Sequence, residues 1–518
     1  MINRHFFFLV ILAIATFSAN FWGYPIYILD EVKNASCAME MDHRNNWVIP
    51  TFNNELRTDK PPLHYFLMIA AYQIAGVNPF GARLFSVLAG LGTALLIFGF
   101  ARKFINRETA FWATLIFISS IQISIQFHLA VPDPFLIFFC TAALACFAMG
   151  WLEKRYIYLY GMYAATALAF LAKGPVALIL IGTPILCYLI VTREFSWRLW
   201  NKLLLLLGMV IFLGIALPWF IAVTIQTEGQ WLRGFVLDHN IHRFSSTMEG
   251  HKGIPGIAVI SLLAGLLPLS LFLPQAMREA WQSRKTIPAL NLCFWVCVIV
   301  VLFFSLSRTF LPGYIAPAFP FASIILGFFI DRWLKSGDSN IAKSLGYIIG
   351  AMISLALPFV AYVALRAELP AVASRAFLLF PISIGGIVGL YFFLRKSWDK
   401  ALYFPLLGYL VGTVMLFYTI IPSLLQENPL NKLMVATEVS QPWAIYKSTN
   451  PAIVFMSKKT LPVLESPHEL EKYRMQNPRS IIFTRKSNLE NIDTTHWQVE
   501  SAKDLFETSV TITLRSRN

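Results

Sequence analysis

Residues 81–101 read GARLFSVLAGLGTALLIFGFA, a run in which Arg83 is the one charged side chain. A helix needs roughly 17–25 mostly apolar residues to cross the hydrocarbon core of a membrane, so this run predicts a transmembrane helix. The pattern recurs along the 518-residue chain, which is 57% hydrophobic and 14% charged. Soluble domains carry about 25% charged residues. The composition therefore excludes an ordinary soluble protein, a disordered chain, a coiled coil and a collagen-like fold.

Applied to the whole chain, the same length criterion predicts thirteen transmembrane helices. Their expected ranges are 5–24, 81–101, 108–126, 133–152, 156–172, 174–192, 203–224, 255–277, 289–306, 310–330, 342–365, 372–394 and 401–422. The first span also has the position of a secretory signal peptide. Because Ser18-Ala19-Asn20 is a poor cleavage site, we expect an uncleaved anchor.

The net charge of +14 fits either a nucleic-acid-binding surface or a membrane insertion signal. Short basic connectors lie at 102–107, 153–155, 193–202 and 395–400. They all fall on one side of the membrane if the N-terminus is cytoplasmic, as the positive-inside rule requires. Because the loops on the other side are nearly neutral, the charge indicates membrane insertion and no nucleic-acid partner. An odd number of spans then places the C-terminus outside.

These patterns predict an all-α polytopic membrane domain over 1–422 and a small soluble α/β domain over 423–518 on the outer side. Two outer loops interrupt the membrane domain, at 25–80 and 225–254. Within the first loop, 63–76 is apolar but too short to span, so we expect an interfacial helix there. In the tail, 451–456, 479–485 and 508–514 are expected to be strands, and 467–475 a helix.

Isolated acids at the ends of the apolar runs are the first candidate functional residues. Asp30 and Glu31 directly follow the first span, and Asp133 is the only acid between 109 and 152. Acids so placed tend to face cavities and mark a site. The structural alternatives are a hydrated helix end for the first two and a helix cap for Asp133.

The outer side also carries isolated cations, listed here in chain order: Lys60, Lys173, Arg243 and Arg308. Each alone fits an interfacial anchor. Together they suit a phosphate group, while the neighbouring carboxylates suit sugar hydroxyls, a base or a metal. Three histidines of the second outer loop, His239, His242 and His251, could bind a metal with Asp59 or Glu55, although a His-x-x-His spacing is a weak signal.

Several short motifs then resemble one enzyme group, the C-type membrane glycosyltransferases. The motifs are Asp30-Glu31, Asp59-Lys60-Pro61-Pro62-Leu63, Gly81-Ala82-Arg83, Pro132-Asp133-Pro134, Leu171-Ala172-Lys173-Gly174-Pro175 and Tyr314-Ile315-Ala316-Pro317. The branch they are most similar to is the bacterial lipid A 4-amino-4-deoxy-L-arabinose transferases, with a distant similarity to protein O-mannosyltransferases. The resemblance extends to the layout of the whole chain.

The resemblance implies an inverting transfer, on the periplasmic face of the bacterial inner membrane, of a sugar from an undecaprenyl or other polyprenyl phosphate. It implies a catalytic role for Asp30, with Asp133 and Glu31 beside it. It also implies donor-phosphate binding by Lys60, Arg243, Lys173, Arg308 and Tyr314, and one divalent metal at Asp59 and a loop histidine. Asp59 stands where Glu is usual and Arg308 where Lys is common. The implied acceptor is lipid A or a related envelope glycolipid, and the expected state is a monomer.

Two other functions remain as alternatives. A protein O-mannosyltransferase-like enzyme would use the same donor class, and extra binding modules in the outer loops would favour it. A lipid or sugar transporter is expected to show internal repeats and charges near the membrane midplane. Here no repeat stands out and the charges gather at one face, so the sequence favours the glycosyltransferase.

Overall fold

The computed structural model describes residues 4–196, 202–242, 256–338, 340–435, 441–505, 507 and 509–516. Helices dominate as far as residue 435, and a five-stranded sheet follows from residue 443.

The helices of the first half are α1 Arg4–Phe17, α2 Leu29–His43, α3 Leu63–Ala75, α4 Pro79–Phe104, α5 Arg107–Ser119, α6 Ile121–Phe127, α7 Asp133–Trp151, α8 Ile157–Lys173, α9 Val176–Val191, α10 Leu205–Gln226 and α11 Gln230–Arg233, which continues as a π-helix over Gly234–His242. Those of the second half are α12 Ile257–Gly265, α13 Leu273–Gln282, α14 Pro288–Leu306, α15 Phe319–Ser336, α16 Ile341–Glu368, α17 Phe380–Leu394, α18 Trp398–Met415, α19 Ile421–Gln426, α20 Pro429–Val435, α21 Ala452–Ser457 and α22 Pro467–Gln476. The strands are β1 Thr51–Phe52, β2 Glu55–Leu56, β3 Trp443–Tyr446, β4 Val463–Leu464, β5 Ile481–Arg485, β6 Trp497–Lys503 and β7 Val510–Ser516.

Among the described residues, eight helical segments are long and apolar enough to cross a membrane, and the bent pair α5–α6 makes a ninth. The expectation of a multi-pass helical membrane protein is therefore confirmed. Four further apolar helices, α1, α3, α8 and α9, are shorter.

Two predicted spans are not straight helices. The run 108–126 bends by 69° between α5 and α6. Ser120 has an extended backbone there, and its Oγ accepts from Ile123 N while donating to Gly265 O at 2.6 Å. A side-chain cap of this kind starts a new helix in a new direction. The described part of 255–277 is also divided, since α12 ends at Gly265 and α13 begins only at Leu273.

The first outer loop contains a helix, a hairpin and a second helix. The hairpin pairs β1 with β2 through Asn53 and Asn54, which both have positive φ. Asparagine favours this conformation in tight turns. Glu40 of α2 accepts hydrogen bonds from Thr51 Oγ1 and from Asn53 N, both at 2.6 Å. The hairpin is thus fixed to α2, and the chain leaves it toward residues 57–60.

The C-terminal sheet has the strand order β4-β3-β5-β7-β6, with β3 parallel to β4 and β5, and β7 antiparallel to β5 and β6. The predicted strands at 479–485 and 508–514 correspond to β5 and β7, and the predicted helix at 467–475 to α22. The predicted strand at 451–456 is wrong, because that segment forms α21. It is almost wholly buried, and a short apolar run buried on all sides lacks the periodicity that separates a strand from a helix.

The sheet packs directly against the first outer loop. Trp443 and Ile445 of β3 and Phe483 of β5 share one hydrophobic core with Val32 and Met39 of α2. The side-chain amide of Asn53 also donates to Leu461 O at 3.0 Å and accepts from Leu461 N at 2.7 Å. These contacts hold the C-terminal region against α2, which carries Asp30 in its first turn.

Candidate active site

A central cavity of about 420 Å³ is lined by four of the charged side chains singled out by the sequence. Its lining includes Asp30, Lys60, Asp133, Lys173 and Tyr314. A smaller side cavity of about 110 Å³ shares three of these residues and adds Asp59 and His239. Residues far apart in the chain therefore converge on one site.

Asp30 reaches the cavity because α2 begins one residue before it. Asp30 and Glu31 occupy the first helical turn, where the positive end of the helix dipole favours carboxylates. Glu31 accepts from Ala130 N at 2.9 Å, and Asn34 donates to Ala130 O at 3.5 Å. These bonds fix the start of α2 against the connection that leads to Asp133.

Glu31, expected beside Asp30 as a catalytic residue, points away from the cavity. Arg83 holds its two oxygens through Nε at 2.6 Å and through a terminal nitrogen at 2.9 Å, and both side chains are 1% exposed. Arg83 also donates to Phe21 O and Tyr24 O, each at 3.0 Å. With its oxygens engaged in a buried pair, Glu31 is placed to position Asp30 rather than to contact substrate.

Asp133 and Lys173 form an ion pair at the cavity wall. Lys173 Nζ donates to Asp133 Oδ1 at 2.6 Å and lies 4.6 Å from the centre of the Tyr314 ring. Asp133 is in the first turn of α7, after the cap residue Pro132, and its carboxylate pairs with Lys173. It therefore does not cap the helix in the way that the structural alternative expected. Gly174 follows with φ +75 and ends α8 there, so Lys173 lies in the last turn.

Tyr314 lies in a 3₁₀ helix over Pro312–Ala318 that begins at the cavity wall. Gln122 of α6 donates to Pro312 O at 2.7 Å. A Cβ at Gly313 would lie 2.7 Å from Gln126 Oε1, so glycine lets this segment approach the side chain of Gln126 closely. The packing fixes Tyr314 beside Lys173.

Asp59 connects the two outer loops. Its Oδ1 accepts from His239 Nε2 at 3.0 Å, and its Oδ2 lies 3.2 Å from a terminal nitrogen of the buried Arg57. Burial opposes ionisation of Asp59, but the hydrogen bond from His239 and the charges of Arg57 and Lys60 hold its pKa below the ordinary value of 3.8. Asp59 is therefore a carboxylate at neutral pH.

Packing around Trp231 explains why His239 meets Asp59. Trp231 Nε1 donates to Arg57 O at 3.0 Å, and Trp231 and Phe235 share a hydrophobic cluster with Leu56. A Cβ at Gly234 would lie 2.6 Å from Thr58 Oγ1, so glycine permits the close approach of the π-helix. The second outer loop is thereby seated on the segment that follows β2.

Asp59 and His239 are also the described part of the predicted metal site. Carboxylate and imidazole are ligands that Zn²⁺ accepts, but catalytic zinc sites use three protein ligands. In the described ranges, no group of three His, Cys, Asp or Glu side chains could hold a metal ion. Arg57 also lies against the same carboxylate. The described residues alone therefore do not fit a metal ion.

Four other predicted residues are not among those that the described part of the chain places at the site. Arg243 and His251 lie outside the described residues, and the side chain of His242 is likewise not described. Arg308 is described and exposed, but it does not belong to the lining of either cavity. Its neighbours Thr309 and Phe310 are buried, and Arg308 lies on the protein surface.

Sequence reasoning missed other residues at the site: Arg57, Asn34, Gln126, Tyr27, Leu505 and Glu507. Arg57 is two positions before Asp59, and its basic character in an outer loop was the available signal. Gln126 lies within a run interpreted as an ordinary span. Nothing in the tail marked Leu505 or Glu507, because only the packing of the sheet on α2 brings them to the cavity.

The arrangement is suited to phosphate chemistry. Two lysines, a tyrosine ring and Asp30 line the same cavity. Lysine ammonium groups can neutralise charge on a leaving phosphate, and a carboxylate within the same cavity can accept a proton or stabilise a positive carbon.

Comparison with known proteins gives matches of three kinds. The profile of the dolichyl-phosphate-mannose-protein mannosyltransferase family matches residues 59–221, which include Asp59, Lys60, Asp133 and Lys173. An uncharacterized protein of Aquifex aeolicus is 29% identical over 70% of this chain and 80% of its own length. The undecaprenyl phosphate-alpha-4-amino-4-deoxy-L-arabinose arabinosyl transferase of Pseudomonas aeruginosa strain UCBPP-PA14 is 28% identical over 66% of this chain. The match spans 63% of that transferase, less than two thirds of its length.

Solved structures give the fold. ArnT from Cupriavidus metallidurans, in a crystal structure with undecaprenyl phosphate, superposes with a TM-score of 0.78 at 20% identity, over 98% of this chain and 97% of that one. The oligosaccharyltransferase of Archaeoglobus fulgidus superposes with a TM-score of 0.54 at 10% identity, over 93% of this chain and 69% of that one. The chain therefore shares the fold of these membrane proteins.

Proposed function

We propose that this chain, a member of the superfamily of C-type membrane glycosyltransferases, moves a sugar from a polyprenyl phosphate to lipid A or a related envelope glycolipid. The favoured sugar is an aminosugar such as 4-amino-4-deoxy-L-arabinose. The observation that carries this proposal is the shared cavity of Asp30, Lys60, Lys173 and Tyr314 in a chain similar to arabinosyl transferases.

The proposed orientation follows from the loops. The basic connectors face the cytoplasm, and the cavity, both outer loops and the sheet face the periplasm. The proposed count of thirteen spans takes α1, α8, α9 and the divided segment α12–α13 as membrane-crossing in addition to the nine long or bent segments. The proposed domains are 1–422 in the membrane and 423–518 in the periplasm.

In the proposed reaction, an acceptor oxygen attacks the anomeric carbon and the bond from that carbon to the phosphate oxygen breaks, with inversion. Lys60 and Lys173 neutralise the charge on the departing polyprenyl phosphate. Arg243, from outside the described residues, is proposed to join them. Tyr314 supports Lys173 through its ring face, which lies 4.6 Å from Nζ.

Asp30 has one of two roles, depending on the acceptor. If the acceptor is a hydroxyl group, Asp30 takes its proton as a general base. If the acceptor is a phosphate of lipid A, its oxygen is already anionic, and Asp30 orients it or stabilises the positive sugar in the transition state. Asp133 keeps Lys173 in place through their ion pair, and Glu31 keeps Asp30 in place through the Arg83 pair.

A protein O-mannosyltransferase-like activity is the second candidate. It is favoured by the family profile, which matches the part of the chain that contains four of the charged site residues. The two candidates share the donor class and differ in the acceptor.

The deciding experiment is mass spectrometry of lipid A and of envelope proteins from cells with and without the gene. A fixed mass increment on lipid A that disappears with the gene is the expected result. Unchanged lipid A together with a gene-dependent hexose on envelope proteins would replace the first candidate by the second. Purified chain in liposomes, supplied with polyprenyl-phosphate sugar and lipid A, would confirm that the chain itself catalyses the transfer.

A further inference from the structure

The hairpin between β6 and β7 reaches the central cavity from the C-terminal sheet. Leu505 and Glu507, both in its connection, line the cavity together with Asp30. The backbone N–H of Leu505 donates to the Tyr27 hydroxyl at 2.8 Å, and Tyr27 belongs to the segment that leads into α2. The hairpin is therefore attached to the same segment that carries Asp30.

The base of this connection is fixed by a buried carboxylate. Asp504 is fully buried and accepts from Asn450 at 2.9 Å, from Thr511 at 2.7 Å and from Arg485. Asp504 N also donates to Ser509 O at 3.1 Å. Because several donors bond to this one buried carboxylate, the described residues of the connection are held in a defined position.

The charges of this hairpin do not cancel. Arg485 contacts two carboxylates, Asp504 directly and Glu507 at 3.4 Å. Because Asp504 is fully buried and Glu507 is 31% exposed, the single positive charge compensates the buried group first. The charge of Glu507, at the cavity wall, is therefore compensated only in part.

The rest of the cavity leaves Glu507 available to a ligand. The cavity lining holds three carboxylates, those of Asp30, Asp133 and Glu507, and two lysines, Lys60 and Lys173. Asp133 and Lys173 compensate each other. A carboxylate that the protein compensates only in part favours a cationic group on the substrate. A neutral sugar offers no such group, whereas an aminosugar carries an ammonium group at neutral pH.

We propose that Glu507 is a specificity residue that binds the ammonium group of an aminosugar donor. The inference rests on the proposed glycosyltransferase function and extends it, because it assigns the choice of sugar to the C-terminal sheet rather than to the membrane helices. Glu507 binds and selects; it takes no part in bond making or breaking.

The test uses the full chain in liposomes and two polyprenyl-phosphate donors that differ only in an amino or a hydroxyl group on the sugar. E507Q removes the charge and keeps the shape. We expect kcat/KM for the amino donor to fall on the order of 10- to 100-fold, as for the loss of a hydrogen bond to a charged group, while the hydroxyl donor is unaffected. E507D, which keeps the charge, is expected to retain the preference for the amino donor.

The matched control is E500Q, in the same hairpin, since Glu500 pairs with Arg515 at 3.6 Å and does not line the cavity. Thermal unfolding of each variant checks that the fold is kept. Equal rates for both donors in the unchanged protein, or an equal effect of E507Q on both, would overturn the assignment of Glu507 and leave the transferase function intact. Transfer from neither donor by the unchanged protein would overturn the proposed function itself.

Discussion

His239 Nε2 donates to Asp59 Oδ1 at 3.0 Å and so joins the two outer loops beside the cavity. Asp59 belongs to the segment after the first hairpin, and His239 to a π-helix that follows α10 and α11. The bond keeps Asp59 ionised and holds Lys60, the next residue, between the two cavities.

Replacing His239 by Phe is expected to raise the pKa of Asp59, because it removes the hydrogen bond that lowers that pKa and leaves burial, which raises it. In the unchanged folded protein the pKa of Asp59 lies below 3.8, its ordinary value in an unfolded chain. The ionised carboxylate therefore stabilises the fold fully above pH 3.8, and this stabilisation is lost as the pH falls through the lower pKa of the folded state. The acid limb of the kcat/KM profile should therefore move upward in H239F, measured from about pH 4 to 7.

The control for H239F is H43F, which changes an exposed histidine at the end of α2. Its profile should coincide with that of the unchanged protein. Superimposable profiles for H239F and the unchanged protein would contradict a role for this bond in keeping Asp59 ionised.

Replacing Asp30 by Asn should reduce turnover by about 10²–10⁴-fold, the range expected for loss of a general acid–base group, while the protein stays folded. D42N is the matched control, because Asp42 lies near the other end of α2, where its side chain accepts a long bond of 3.4 Å from Gln73. Initial rates with polyprenyl-phosphate sugar and thermal unfolding in detergent measure the two effects. Turnover of purified D30N close to that of D42N would remove Asp30 from the mechanism.

Replacing Lys173 by Met should weaken donor binding and leave Asp133 without its partner. We expect the double variant D133N/K173M to be more stable than the sum of the single effects predicts, by about 0.5–3 kcal/mol, because the partners touch. The exposed pair Lys103–Glu153 provides the control, K103M, with a loss of about 0–1 kcal/mol. Strictly additive effects of D133N and K173M would show that the 2.6 Å contact between Asp133 and Lys173 contributes no coupling free energy.

Replacing Glu31 by Gln should lower the free energy of unfolding by about 3–5 kcal/mol, because it leaves the charge of Arg83 buried without a counter-charge. E427Q, at the exposed pair Lys432–Glu427, is the control and should have little effect. Thermal unfolding in one detergent compares them. If E31Q kept full stability but lost all turnover, Glu31 would be a direct catalytic group and our assignment to positioning would be wrong.

Removing divalent metals should leave turnover unchanged, because Asp59 and His239 already bond to each other and Arg57 lies against the same carboxylate. The measurement is transfer by purified protein after dialysis against a chelator. A loss that Zn²⁺ or Mn²⁺ restores would contradict this expectation and would indicate that the donor phosphate, or residues outside the described ranges, complete a metal site.

The span pattern could be predicted from sequence because each helix must bury or satisfy its own backbone in lipid, which makes its length and apolar content visible locally. Ser120 shows the limit of this reasoning. Its hydroxyl caps a new helix and bonds to Gly265, and neither effect changes the hydropathy of 108–126. The buried segment of α21 resembles a strand in sequence for a related reason, since burial on all sides removes the hydrophobic periodicity that distinguishes a helix from a strand.

The sequence by itself predicted the multi-pass helical architecture and four of the charged side chains that line the central cavity. The tertiary structure decided which of them act together. It turned Glu31 toward Arg83, paired Asp133 with Lys173, joined Asp59 to His239, and brought Glu507 to the cavity. Ion pairing depends on distances between segments remote in the chain, and composition and spacing contain no measure of those distances.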